Sequence, residues 1–76
     1  MILKFTTHCQ LRILERKLNI EYLKRAVKEP DSKKATLDGK IQVRKKIGNK
    51  TIEVIYYKDS FRDKKDEYII ITAYYL

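Results

Sequence analysis

The stretch IQVRKKIGNKTIEVIYYK, residues 41–58, decides the fold, because its side chains alternate between apolar and polar on both sides of a Gly-Asn pair. Its first half sets apolar side chains against polar, mostly basic ones: Ile41, Val43 and Ile47 against Gln42, Arg44 and Lys46. Its second half repeats the alternation at Ile52, Val54 and Tyr56. Successive strand side chains point to opposite faces, and Gly48-Asn49 suits a tight turn. Residues 40–58 are therefore predicted to form a β-hairpin with one apolar and one basic face.

The segment EYIIITAYY, residues 67–75, is apolar at nearly every position, which is typical of a central strand with both faces covered. One predicted face carries Ile69, Ile71, Ala73 and Tyr75, and the other carries Tyr68, Ile70, Thr72 and Tyr74. We expect the first set to face the hydrophobic core. The second set mixes apolar side chains with hydroxyl groups, which is typical of a strand that runs from the core into a functional site. Residues 59–66 are predicted as a charged loop, and residues 33–37 can add one more short strand.

A first helix is predicted from His8 to about Lys17, after a short apolar segment at residues 2–5 that is either a brief strand or a hydrophobic lead-in. Thr7, with Gln10 three residues later, has the form of a capping box. The helical period places three leucines on one apolar stripe that we expect to pack: Leu11, Leu14 and Leu18. A separate stripe beside it carries His8, Arg12 and, less closely, Arg16.

A second helix is predicted from Ile20 to about Lys28, with Asn19 as its N-cap and Pro30 beyond its end. Its inward face is expected to carry Ile20, Leu23, Ala26 and Val27. Helices followed by strands in a chain of 76 residues indicate one α+β domain spanning residues 1–76. We expect a helical hairpin packed on one face of a three- to four-stranded antiparallel sheet.

The chain is strongly basic, with 18 Lys and Arg against 10 Asp and Glu and a formal net charge of +8. This charge favours a nucleic-acid backbone as partner, although a lysine-rich surface that only serves solubility would have the same composition. The lone cysteine, Cys9, cannot form an internal disulfide, and we expect it to be a buried apolar group in a reducing compartment. No signal peptide or membrane-spanning run stands out, so a cytoplasmic protein with no membrane partner is expected.

The stripe that begins with His8 is the first candidate for chemistry. A histidine can act as general base or acid, and the guanidinium groups of Arg12 and Arg16 can each bind a phosphate through two nitrogens. The alternative is a histidine that only bonds nearby backbone, followed by two solvated arginines paired with acids along the helix.

The strands carry the second group of candidates. Arg44 and Lys46 share the polar face of their strand, where they can hold a phosphate or can simply protect an edge strand against aggregation. Thr72 and Tyr74 can orient a phosphate. A base can stack on Tyr56, Tyr57 or Tyr74. The preference of tyrosine for strands explains the same residues without any ligand.

The order of these residues resembles that of a known family. The residues concerned are His8, Arg12, Arg16, Ile20, Val27, Pro30, Arg44, Lys46, Thr72 and Tyr74. They resemble the pattern of small bacterial, archaeal and phage-associated domains of unknown function, although a glycine is common there where this chain has Lys17-Leu18-Asn19. Those domains are similar to the barnase, EndoU, colicin and RelE-like group. The resemblance implies a RelE/barnase-like fold and an RNA-cleaving or RNA-binding protein, the toxin of a toxin–antitoxin pair.

The leading hypothesis is a metal-independent ribonuclease-like protein that uses no cofactor, because the chain has neither a glycine-rich phosphate loop nor a metal-ligand cluster. Its predicted catalytic residues are His8, Arg12, Arg44, Lys46, Thr72 and Tyr74. Its predicted nucleic-acid-binding residues are Arg16, Lys45, Lys50 and Tyr57. The expected partners are RNA and an acidic antitoxin-like protein. The alternatives are a non-catalytic nucleic-acid-binding module and a partner-binding protein.

Overall fold

The computed structural model of the chain describes residues 2–58 and 67–76, which form two helices and five strands. The elements in chain order are β1 Ile2–Phe5, α1 Thr7–Arg16, α2 Ile20–Lys28, β2 Ser32–Ala35, β3 Ile41–Ile47, β4 Lys50–Lys58 and β5 Glu67–Tyr75. The predicted α+β class is confirmed. The loop predicted at residues 59–66 lies outside the described residues. Neither helix of the described part has the length and apolar character needed to cross a membrane.

The sheet differs from the predicted one in strand number and in direction. Its order is β1-β5-β4-β3-β2, and β1 runs parallel to β5 while all other pairs are antiparallel. The prediction of a three- to four-stranded antiparallel sheet is therefore wrong. The apolar segment β1 satisfies its backbone groups by pairing with the edge of β5, and its Leu3 and Phe5 are partly buried against the core. This five-stranded mixed sheet also disagrees with the RelE/barnase-like fold that the resemblance implied.

Both helices pack on the same face of the sheet. α2 contacts β3 and β4, whereas α1 lies along β5. The helices and the turn between them contribute Cys9, Leu18, Leu23, Ala26 and Val27 to the buried core. The strands contribute Val43, Ile52, Val54, Tyr56, Ile70 and Ala73. The burial expected for Cys9 is confirmed, and it raises the pKa of the thiol. The opposite face of the sheet is covered by neither helix, and we call it the helix-free face.

The start of α1 determines which of its side chains reach the core. Thr6, and not Thr7, is the N-cap: its hydroxyl accepts from Cys9 N at 3.1 Å and donates to Ile71 O at 3.1 Å. These bonds anchor the helix to β5 with Cys9 turned inward. The predicted leucine stripe is wrong for two of its members, because Leu11 and Leu14 are exposed and only Leu18 is buried. Gln10 does reach back, as in a capping box, but it donates to Phe5 O.

An irregularity in β5 changes which of its side chains are buried. Thr72 pairs with Ile55 and Ile70 pairs with Tyr56, so Ile71 is an extra residue that has no partner on β4. A bulge shifts the alternation of side chains by one residue. Ala73 and Ile70 are therefore both fully buried, although strict alternation put them on opposite faces. The predicted core face is correct for Ala73 and wrong for the N-terminal half of the strand.

Lys17 ends α1 in the left-handed region, with φ 51° and ψ 47°. The Cβ atom of any residue other than glycine disfavours this conformation, which glycine adopts readily. We expect Lys17→Gly to raise the free energy of unfolding by about 0.5–1 kcal/mol. Lys17→Ala removes the same charge but keeps Cβ, and it should leave stability almost unchanged. Thermal denaturation followed by circular dichroism compares the two, and equal melting temperatures would contradict the argument.

Candidate nucleic-acid interface

Four of the six predicted catalytic residues share the helix-free face. The register pairs Arg44 with Glu53 and Glu53 with Tyr74, so these side chains form one row across three strands. Thr72 belongs to the next row and Lys46 to the row on the other side. The described side chains of this face on β2 to β5 include Ser32, Lys34, Gln42, Arg44, Lys46, Glu53, Ile55, Tyr57, Thr72 and Tyr74.

A buried carboxylate holds Arg44 in place. Glu53 is fully buried, and its Oε1 accepts from Arg44 Nε at 2.7 Å and from Gln42 Nε2 at 2.6 Å. The Arg44 side chain is 52% exposed, so the ion pair joins a buried acid to a partly solvated base. Because Nε carries this bond, the two terminal nitrogens of Arg44 stay available as donors toward solvent. The arrangement presents a guanidinium in a fixed position.

A hollow of about 300 Å³ lies beside this guanidinium. It is lined by Ser32, Lys33, Lys34, Gln42 and Arg44. Lys34 has no ion pair with the residues that the structure describes. A concave surface with two lysines, a fixed guanidinium and a hydroxyl presents several donors to one bound group. Such a set suits a phosphate.

Arg16 connects α1 to the same face at the edge of the sheet. Its Nη1 donates to Ala73 O at 3.2 Å, and its guanidinium carbon lies 5.9 Å from the centroid of the Tyr74 ring. This contact is possible because β1 pairs only with the first half of β5 and leaves the second half uncovered. A hollow of about 510 Å³ is lined there by Arg16, Tyr74 and Tyr75. A cation next to an aromatic ring suits a nucleotide.

The structure does not bring His8 and Arg12 to this face. His8 is exposed at the start of α1 and makes no side-chain hydrogen bond or ion pair with the described residues. Arg12 forms an ion pair with Glu15 at 2.6 Å. α1 lies along β5, whereas Arg44 is on β3, two strands and roughly 10 Å away on the opposite face. The predicted catalytic set is therefore divided between two surfaces.

The residues predicted to bind nucleic acid are also divided. Tyr57 is 41% exposed on the helix-free face. Lys45 lies on the helix-bearing face, with its ammonium 3.4 Å from Asp31 Oδ1. Lys50 also lies there, with its ammonium 5.0 Å from the centroid of the Tyr75 ring. Of this predicted set, Arg16 contacts Tyr74 of the Arg44 row. Tyr57 lies on the same face, four residues along β4 from Glu53, and the two lysines lie on the other face.

Sequence reasoning missed Glu53, the residue that organises the site. A two-residue turn at Gly48-Asn49 pairs Ile47 with Lys50, and counting back from that pair sets Arg44 opposite Glu53. The predicted hairpin and its two-residue turn were therefore enough to derive which residues pair. The signal that could have found the site is an acid facing an arginine on the polar side of a hairpin.

Asp31 fixes the backbone at the end of β3 that carries Lys46. Its Oδ2 accepts from Lys46 N at 2.8 Å. This N–H, and secondly the Lys45 ammonium, hold the pKa of Asp31 below its usual range. A lowered folded-state pKa stabilises the fold above the ordinary aspartate pKa of about 3.9, and the contribution is lost as pH falls through the folded-state value.

Asp31→Asn removes this titration. We expect the wild-type protein to be the more stable of the two at pH 7 and the difference to shrink as pH falls from about 5 to 2. Urea denaturation at several pH values measures both proteins. A stability difference that does not change with pH would show that the charge of Asp31 has no part in holding β3.

Comparison of the chain with protein-family models, with curated proteins and with solved structures found no match. The resemblance to small domains of unknown function therefore stays a prediction from the sequence. Within residues 2–58 and 67–76, no group of three or more His, Cys, Asp and Glu side chains is arranged to hold a metal ion. The function of the protein is therefore inferred from the geometry of the helix-free face.

Proposed function

We propose that this protein binds single-stranded RNA across the helix-free face of its sheet. The observation that carries the proposal is the Arg44 guanidinium, which the buried Glu53 holds through Nε while its terminal nitrogens stay available. A donor group that is already fixed loses little freedom when it binds a phosphate, so it contributes more to affinity than a mobile surface charge.

The neighbours of Arg44 supply the other contacts that a single strand needs. Lys34 and Lys46 have no ion pair with the described residues, so their charges are available for phosphates. Tyr74 is half-buried beside Arg16, and Tyr57 is exposed one strand away. Unpaired bases can stack on such rings, whereas the bases of a duplex are hidden from a flat sheet. These contacts favour single strands over double strands.

Binding without cleavage fits the geometry better than a ribonuclease does. Cleavage of RNA by proton transfer requires a general base within hydrogen-bond reach of the 2′-hydroxyl beside the bound phosphate. His8, the predicted base, lies on α1 and not on the face that carries Arg44. The proposal therefore assigns phosphate binding to Arg44 and Lys46 and gives His8 no catalytic part.

Fluorescence anisotropy tests the proposal with a labelled single-stranded RNA and a duplex of equal length, each titrated at several salt concentrations. We expect the single strand to bind more tightly, with affinity falling as salt rises. Lys34→Gln and Lys46→Gln should each weaken binding several-fold and lower the salt slope by about 0.7. Lys40→Gln is the matched control, because Lys40 lies in the loop between β2 and β3 and its ammonium is already paired with Asp38 at 3.3 Å.

Two results would contradict the proposal. One is an affinity that does not depend on salt, and the other is a control variant that loses as much affinity as Lys34→Gln. Electrophoresis of the same RNA after incubation in chelator separates binding from cleavage. Cut RNA in the wild-type sample and intact RNA with His8→Ala would restore the ribonuclease hypothesis in place of simple binding.

A further inference from the structure

A cavity of about 710 Å³ lies on the helix-bearing side of the sheet. It is bounded by α2, by the segment that follows α2 and by the strands β2 to β5. The apolar part of its wall comes from Val27, Ile41, Tyr56 and Tyr68. This size lies within the range of small-ligand sites, which are usually apolar with a few polar groups. We call it the α2 cavity.

Two tyrosines give the α2 cavity an aromatic wall. The rings of Tyr56 and Tyr68 meet edge to face, with centroids 5.4 Å apart and planes at 76°. Tyr56 is only 2% exposed, and its burial, together with Tyr68, raises the pKa of its phenol. Tyr68 is half-buried and therefore offers the accessible ring surface. A planar ring can stack on the accessible part of this ring.

The rim of the α2 cavity is positively charged. Arg25 and Lys28 come from α2, and Lys33 and Lys58 come from β2 and β4. None of the four forms an ion pair with a residue of the described ranges. Two acids also line the cavity; one of them, Glu21, is paired with Lys24 at 3.5 Å. Among the described residues that line the cavity, the cations therefore outnumber the acids.

Helix electrostatics explain only part of this rim. Basic residues in the last turn of a helix interact with its negative end, which accounts for Arg25 and Lys28. Lys33 and Lys58 belong to strands, so the negative end of the helix does not explain their presence at the rim. The Lys58 ammonium lies 5.7 Å from the centroid of the Tyr68 ring. A cation is thus close to the ring surface on which a planar ligand would lie.

We propose that the α2 cavity binds a nucleoside monophosphate, with the base against Tyr68 and the phosphate among Lys28, Lys58 and their neighbours. An aromatic wall beside unpaired cations fits a ring joined to a phosphate better than it fits either part alone. The same chemistry can come from a free nucleotide or from the terminal nucleotide of an RNA. The α2 cavity shares Lys33 with the hollow beside Arg44. Lys28, Lys58 and Tyr68 do not line that hollow, so the proposal does not depend on RNA binding there.

Amide chemical shifts of the full-length protein, titrated with AMP, adenosine and inorganic phosphate, test this site. We expect saturable shifts with AMP at Ile41, Tyr56 and Tyr68, and an affinity at least tenfold lower for adenosine and for phosphate. Lys28→Gln and Lys58→Gln should each weaken AMP binding about three- to tenfold, and Lys40→Gln should not change it. Lys33 also lines the hollow beside Arg44 and is left unchanged.

AMP binding no tighter than that of phosphate would overturn the proposal, as would shifts confined to Arg44 and Tyr74. The spectra also report whether each variant is folded. A short RNA with and without a terminal phosphate then separates the two sources: a preference for the phosphorylated end assigns the site to RNA termini. Loss of AMP binding in Lys28→Gln with retained RNA binding on the helix-free face would show that the two sites are independent.

Discussion

Arg44→Met is expected to lower the free energy of unfolding by about 3 kcal/mol, because it leaves the buried carboxylate of Glu53 without its counter-charge. Among the described residues, only Gln42 would still donate to that carboxylate. The second carboxylate oxygen, Oε2, already has no hydrogen-bond partner among those residues. Chemical denaturation measures the loss directly.

The double variant Arg44→Met, Glu53→Leu separates stability from binding. With both charges gone, no buried carboxylate is left without a counter-charge, and we expect most of the lost stability to return. RNA affinity should stay low in the double variant, because the phosphate-binding guanidinium is still missing. A single Arg44→Met variant as stable as the wild type would show that Glu53 does not depend on Arg44. Restored RNA binding in the double variant would remove Arg44 from the interface.

Leu23→Ala is expected to have the largest effect on stability in the core. Leu23 lies on α2, is fully buried, and packs in the cluster that joins both helices to the sheet. Truncating such a leucine typically costs about 3–5 kcal/mol, through lost burial and the cavity that remains. A domain of this size has only about 4–11 kcal/mol of stability in total. The variant should therefore be partly unfolded at moderate temperature.

Leu14→Ala makes the same chemical change on the other helix and is the matched control. Leu14 is 77% exposed, so we expect a change within about 0.5 kcal/mol. Urea denaturation of both variants, followed by circular dichroism, compares them. Equal losses of stability would mean that α1 buries its leucine stripe after all.

Local patterns were enough to predict much of this fold. The turn at Gly48-Asn49 and the alternation around it gave the hairpin, and Asn19 gave the start of α2, where its side chain does accept from Glu21 N. Both depend on neighbours within a few residues. The rotation of α1 does not, because it depends on bonds from Thr6 to strand β5, 65 residues further along the chain.

The errors in the sheet and in the site have the same physical origin. β1 pairs in parallel with β5 across almost the whole chain, and no pattern within residues 2–5 sets that direction. The extra residue Ile71 shifts the alternation of β5, and an unbroken apolar run gives no sign of it. His8 was grouped with Arg44 on chemical type and on the resemblance to a family pattern, and neither shows that two residues lie on the same surface.

The guanidinium of Arg16 has a consequence for association between copies of the protein. Among the described residues, no strand pairs with the outer side of the second half of β5, and such a strand edge can recruit a strand from another molecule. Arg16 donates to the carbonyl of Ala73 and so occupies one of the acceptors that an incoming strand would need. A foreign strand must first displace a charged side chain, which discourages aggregation through an otherwise apolar central strand.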